Sequence, residues 1–301
     1  MKFSVLASLV LLYSCCTIAG AAIITRASEE DVTYVFYSRS VFDGIEVTIK
    51  EVDDVEHIKT VFDPEHPTIV LIHGWKDGYA ANSNTYIRSA ILSHLDANVI
   101  KVDWSKLAGK IYLVAKNAVP SVGKYAAHFL QELTEEFDYS LKNVTLVGFS
   151  LGAHVAGNIG KTLKGEFPLI IGLDPAGPLI SSKNKAYSLC TDDADYVEII
   201  HSDAGSAGMK DAIGHSDFYP NGGKNQPGCS GVGCSHNRAW EYYAESITDN
   251  KFVAQNCNSY RDFTKKRCEG SYAYMGGFTV DKTVSGVYYL DTNSEAPYGQ
   301  G

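Results

Sequence analysis

Five apolar stretches between residues 67 and 203 constrain this chain more than any other feature. They are PTIVLIHGW (67–75), NVIKVDWS (98–105), NVTLVGFS (143–150), PLIIGLDPAGP (168–178) and DYVEIIHSD (195–203). A strand with one wet face alternates polar and apolar residues; these runs are close to continuously apolar. A strand apolar on both faces has to be buried on both. Helical patterns intervene at 110–137, where Pro120 is expected to break or start a helix, and at 152–163. Such an order predicts an α/β fold, a mainly parallel central sheet with helices on both faces. VTYVFYSR (32–39), GGFTV (276–280) and GVYYLDT (286–292) read as further strands, and SHNRAWEYYAESI (235–247) as a helix. With no linker and no internal repeat in its 301 residues, the chain is expected to form a single domain.

The first twenty residues, MKFSVLASLVLLYSCCTIAG, do not belong to that pattern. One basic residue, a short apolar run and small residues up to Ala21 read as a secretory signal peptide over 1–21. The expected catalytic domain is then 22–301. The run is short for a membrane span of ~20 apolar residues. Net charge is −9, or −10 once Lys2 is removed, which argues against nucleic acid as a partner.

Five of the seven cysteines lie beyond the leader: Cys190, Cys229, Cys234, Cys257 and Cys268. In a secreted chain they favour disulfides over a metal site. Pairing by proximity in sequence joins Cys229 to Cys234 and Cys257 to Cys268, leaving Cys190 over.

GFSLG (148–152) is G-x-S-x-G between a β run and a helix. That context makes Ser150 a candidate nucleophile at the tip of a sharp strand-to-helix turn. A serine hydroxyl needs a base, and the base an orienting acid. Asp174 ends the next β run, and Pro175 turns the chain out of the sheet. Asp192, Asp193 and Asp195 cluster before a later strand and read as a solvated loop. His201, His215 and His236 remain as candidate bases; position favours His236, between the Cys229–Cys234 loop and a helix start. His154 reads as a packing residue and His73 as support for an oxyanion loop. Donors to the oxyanion would be the backbone amides of Leu151 and Trp75.

VLIHGW, VGFSLGAHVAG, IIGLDPAGP, GHSDFYPNGGKNQPGC and CSHNRA follow one another in an order that resembles the animal pancreatic lipase family, most of all its short insect-type secreted lipases and phospholipases A1. The resemblance implies an α/β-hydrolase fold, the triad Ser150, Asp174 and His236, and Trp75 and Leu151 as oxyanion amides. It also implies an acyl-lipid substrate at a membrane or emulsion surface and no cofactor. Long members carry a C-terminal β-sandwich; here the chain ends at APYGQG, so that domain and a colipase-type partner are not expected. The stretch matching the family's calcium site keeps Asp193 but has Cys190 where a carboxylate would stand, so no metal is expected either. In this family the cysteine pair before the histidine staples a lid. Ser230 to Gly233, four residues, are too few for even a stable helical turn. Such shortening implies phospholipase A1 or galactolipase action rather than triglyceride hydrolysis.

Overall fold

The computed structural model describes residues 27–301; the leader expected over 1–21 lies outside them. Eleven strands form one sheet: β1 (Thr33–Tyr37), β2 (Ile45–Val47), β3 (Thr68–Ile72), β4 (Asn98–Asp103), β5 (Val144–Phe149), β6 (Leu169–Leu173), β7 (Val197–Ile200), β8 (Ser216–Pro220), β9 (Val253–Asn256), β10 (Tyr272–Tyr274) and β11 (Gly286–Leu290). The helices are α1 (Val55–Ile58), α2 (Asn82–His94), α3 (Ser105–Ala108), α4 (Tyr112–Glu136), α5 (Leu151–Thr162), α6 (Cys234–Thr248) and α7 (Tyr260–Thr264). Across the sheet the strands run β10, β9, β11, β8, β7, β6, β5, β3, β4, β1, β2. From β11 to β4 all neighbours are parallel. Antiparallel strands finish both edges. This is an α/β-hydrolase fold.

Two cores explain the continuous apolar runs. Successive side chains of a strand point to opposite faces. In β3, Val70 and Ile72 pack into one core with Val119 and Phe129 of α4 and Val155 and Ile159 of α5. Ile69 and Leu71 pack into the other with Ile87 and Ile91 of α2 and Tyr242 and Tyr243 of α6. β5 divides likewise, Leu146 to the first and Val147 to the second.

Two sequence expectations need correction, and one strand was not anticipated. Pro120 neither breaks nor starts a helix: it lies inside α4. A helical proline strands the carbonyl four residues before it. Here that is the Lys116 carbonyl, and the Tyr187 hydroxyl donates to it from outside the helix. GGFTV is not a strand. Gly276 and Gly277 have φ of 70° and 90°, and their amides donate to Glu198 Oε1 and Ser246 Oγ instead of a sheet neighbour. The strand is the preceding Tyr272–Tyr274. The Gly-rich stretch around His215 holds a strand, β8, buried along its length. Its polar residues are tolerated because each has a partner: Ser216 Oγ accepts from the Tyr196 hydroxyl at 2.8 Å, and Asp217 from two backbone amides.

Tyr187→Phe removes the donor that satisfies the Lys116 carbonyl; urea unfolding should show a loss of about 1 kcal/mol. Glu198, fully buried on β7, is a second test. Burial pushes its carboxyl up from 4.5 to about 8. The native state then holds a proton that the unfolded chain has released across this window, so stability falls as pH rises from about 4.5 to about 8. Glu198→Gln should flatten that part of the stability–pH curve, with the variant gaining on wild type toward pH 8 in thermal melts.

Candidate active site

Two of the three triad candidates stand where parallel strands end. Ser150 follows β5 and is the residue between that strand and α5. Its φ of 57° and ψ of −121° are sparsely populated for a residue with a side chain. The turn is this sharp because strand and helix nearly touch. A Cβ on Gly148 would lie 2.3 Å from the Gly152 carbonyl oxygen, and one on Gly152 would lie 2.2 Å from that of Ile72. Glycine is required at both positions, the physical content of the G-x-S-x-G spacing.

Asp174 follows β6 with no exposure to solvent. A buried carboxylate has to be fully bonded. Its Oδ1 accepts from the Ser202 and Asp203 amides at 2.8 and 3.1 Å, and its Oδ2 accepts from His236 Nδ1 at 2.5 Å. His236 is the third residue of α6; its ring packs 4.5 Å from that of Phe149, and the Ser202 hydroxyl donates to its carbonyl at 3.2 Å. The structure thus brings His236 to Asp174 across 62 residues of sequence.

The other two histidines stand elsewhere. His201 is fully buried and bonded to Asp217 Oδ1 at 2.9 Å and the Met209 carbonyl at 3.0 Å. It stacks on Tyr219 with ring centroids 4.1 Å apart. His215 Nδ1 accepts from the Val197 amide, and its ring stacks on Tyr196. Neither lines the cleft at Ser150. Nor does His154: its Nε2 donates to the Ala176 carbonyl, its Nδ1 accepts from the Leu189 amide, and burial pushes its pKa down to about 4. It is a neutral strut between α5 and the loop after Asp174.

Trp75 lies beyond β3, with its indole Nε1 donating to the Lys110 carbonyl at 2.8 Å and its ring set edge-on against Tyr112. His73 steadies this loop. It is fully buried, accepts from the Trp104 amide at 3.1 Å, and takes the Trp104 indole N–H on its own carbonyl at 2.9 Å. Leu151 opens α5, where the first N–H groups have no acceptor within the helix. The helix dipole adds positive potential there.

A cleft of about 660 Å³ joins these groups, lined by Trp75, Tyr112, Phe149, Ser150, Val232 and His236 among others. Its wall also holds Asp77, which the sequence reading missed. Burial pushes the Asp77 carboxyl up, against the opposing pull of His73 and His236. The amides of Ser202 and Asp203 were missed as well, because a backbone donor leaves no signature in residue type.

Cys229 is bonded to Cys234 and Cys257 to Cys268; Cys190 is a buried free thiol. Asp193 is engaged inside the protein, by Lys161 Nζ at 2.6 Å and the Cys190 amide at 2.9 Å. Among the described residues, no group of three or more His, Cys, Asp or Glu side chains is placed to hold a metal ion.

Known proteins are similar to this chain over most of its length. The chain is 34% identical over 277 residues to human pancreatic lipase-related protein 3, covering 79% of this chain and 58% of that protein. It is 35% identical over 270 residues to the lipoprotein lipase of Neovison vison, covering 79% and 57%. The chain therefore spans little more than half the length of these two relatives. With the probable phospholipase A1 magnifin of Vespa magnifica it shares 35% identity over 291 residues, covering 89% of this chain and 85% of that one. The family model described as Lipase matches residues 20–298, and the chain belongs to the Lipase family.

Proposed function

We propose that this chain is a secreted serine hydrolase that releases fatty acids from acyl lipids, with the sn-1 ester of phospholipids as its favoured substrate. The observation that carries the hydrolase reading is the 2.5 Å contact of His236 Nδ1 with a buried Asp174, on a ring that lines one cleft with Ser150. Ser150 Oγ attacks the ester carbonyl and His236 takes its proton on Nε2. Asp174 holds the tautomer that leaves Nε2 free as acceptor and stabilises the imidazolium that forms. The amides of Trp75 and Leu151 take the oxyanion of the tetrahedral intermediate. His236 then protonates the leaving alcohol, and an acyl group stays on Ser150. Water, activated by the same imidazole, releases the fatty acid.

The phospholipid preference rests on the Cys229–Cys234 loop. The two half-cystines are five positions apart, and Gly231 and Gly233 between them adopt positive φ. A loop this short cannot carry the long amphipathic cover that a buried triglyceride site needs. The likeness to magnifin supports the same substrate. Neutral triacylglycerol or galactolipid is the second reading, favoured by the likeness to lipoprotein lipase. A non-catalytic lipid-binding role is disfavoured, because all three triad positions carry competent side chains. Secretion is supported by the two disulfides.

A phospholipid with distinguishable sn-1 and sn-2 chains, assayed beside a triglyceride emulsion, tests the substrate. Release of the sn-1 chain should dominate; faster triglyceride hydrolysis with a jump at the interface would refute the loop argument. On a soluble short-chain ester, Ser150→Ala should abolish turnover, and Asp174→Asn should lower kcat by about 10⁴-fold through the wrong imidazole tautomer. Equal turnover by wild type and Ser150→Ala would sink the mechanism.

A further inference from the structure

Arg88 and Lys101 are cations that the fold takes out of water without giving either a carboxylate. Arg88 lies on α2 and is 9% exposed; Lys101 lies on β4, between β3 and β1, and is 1% exposed. Among the described residues neither belongs to an ion pair. Elsewhere the chain pairs its buried charges, as Asp193 with Lys161 and Asp217 with His201. A buried charge without a partner is costly.

The two cations share one aromatic neighbour. Arg88 Cζ lies 4.4 Å and Lys101 Nζ 4.7 Å from the centroid of the Tyr37 ring. An aromatic face attracts cations, yet it brings no net charge to offset two of them. Arg88 is covered further by the ring of Phe42, at 4.3 Å, and its Nη1 donates to the Phe42 carbonyl at 3.3 Å. Lys101 falls on the same face of β4 as Val99, which packs in the core that holds Ile87 and Ile91 of α2. Its side chain is therefore on the α2 side of the sheet.

Unsatisfied donors on α2 are an independent observation. Arg88 Nε and Asn84 Nδ2 are buried and have no hydrogen-bond partner within the protein, and neither has the hydroxyl of the adjacent Ser83. Buried donors without an acceptor are rare in native proteins. Asn84 and Arg88 are four positions apart on α2, so they share one face of that helix. The groups left over here are cations and N–H donors, and an anion is what completes such a set.

Burial narrows which anion. Tyr37, Ser83, Asn84 and Lys101 are all nearly inaccessible, so an anion with an organic substituent finds no way out past them. A doubly charged oxyanion would lose far more hydration than a singly charged one. A halide remains, and chloride is the abundant halide outside cells.

We propose that Asn84, Arg88 and Lys101 form an internal chloride site that fastens α2 to β1 and β4. Burial and the charge of Arg88 push the Lys101 pKa down to about 7, and an anion between them favours the ammonium that they disfavour. Tyr86 of α2 packs against Trp240 of α6, ring centroids 5.5 Å apart, so the ion also steadies a helix on which α6 rests. The site does not depend on the hydrolase reading.

Thermal melts near neutral pH, in sodium chloride and in sodium gluconate of equal ionic strength, read the site, because gluconate is too bulky to enter. Chloride at about 0.15 M should raise the wild-type midpoint by about 3 °C or more over gluconate. Lys101→Met, uncharged and similar in length, should lose that increment. Should Lys101→Met not fold, wild-type crystals grown in about 0.15 M sodium bromide decide, with an anomalous peak expected among Asn84, Arg88 and Lys101. Equal wild-type midpoints in the two salts overturn the proposal. So does a chloride increment that persists in Lys101→Met, or bromide bound only at other positions.

Discussion

No side chain fits between the end of β5 and the start of α5, and the rest of the site depends on that. At 2.2–2.3 Å from neighbouring carbonyl oxygens, a Cβ at Gly148 or Gly152 would push the helix off the sheet. The close approach forces Ser150 into its sparse backbone conformation and lifts its side chain to the cleft. It also aims the first turn of α5 at the place where an oxyanion would form. Strain at one residue is supported by two well-packed cores on either side of the sheet.

The acid is held by a different device. Asp174 is stranded without water, so its charge depends on the amides of Ser202 and Asp203 and on His236. Those amides are in turn positioned by the buried His201–Asp217 pair one strand over. Two histidine–aspartate pairs thus lie close together in the fold with different tasks. One faces the cleft, and the other fixes the loop that keeps the first acid in place. Gly208 completes this packing, since a Cβ there would lie 2.2 Å from Asp174 Oδ1.

Around this rigid centre the entrance is sparsely covered. The stapled Cys229–Cys234 loop runs into α6 immediately before His236, so the disulfide limits motion of the segment that carries this histidine. Its exposed tip, Val232, lines the cleft.

Much of this was legible in one dimension. Uniform apolarity of the β runs marks strands covered on both faces, because burial acts on every residue of such a strand. Ser150 was legible because glycines two positions either side are a steric requirement, and Asp174 because a strand end before proline is a local signal. Other features were decided only in three dimensions. Three histidines were candidates for the base, and it is the contact with Asp174, across 62 residues, that separates His236 from His201 and His215. Pro120 stays within a helix because Tyr187, 67 positions on, supplies the missing donor, and β8 is a strand because its polar residues find partners on other elements. Local sequence fixes what a backbone prefers; which buried polar group is satisfied, and by whom, depends on neighbours that only the folded chain brings together.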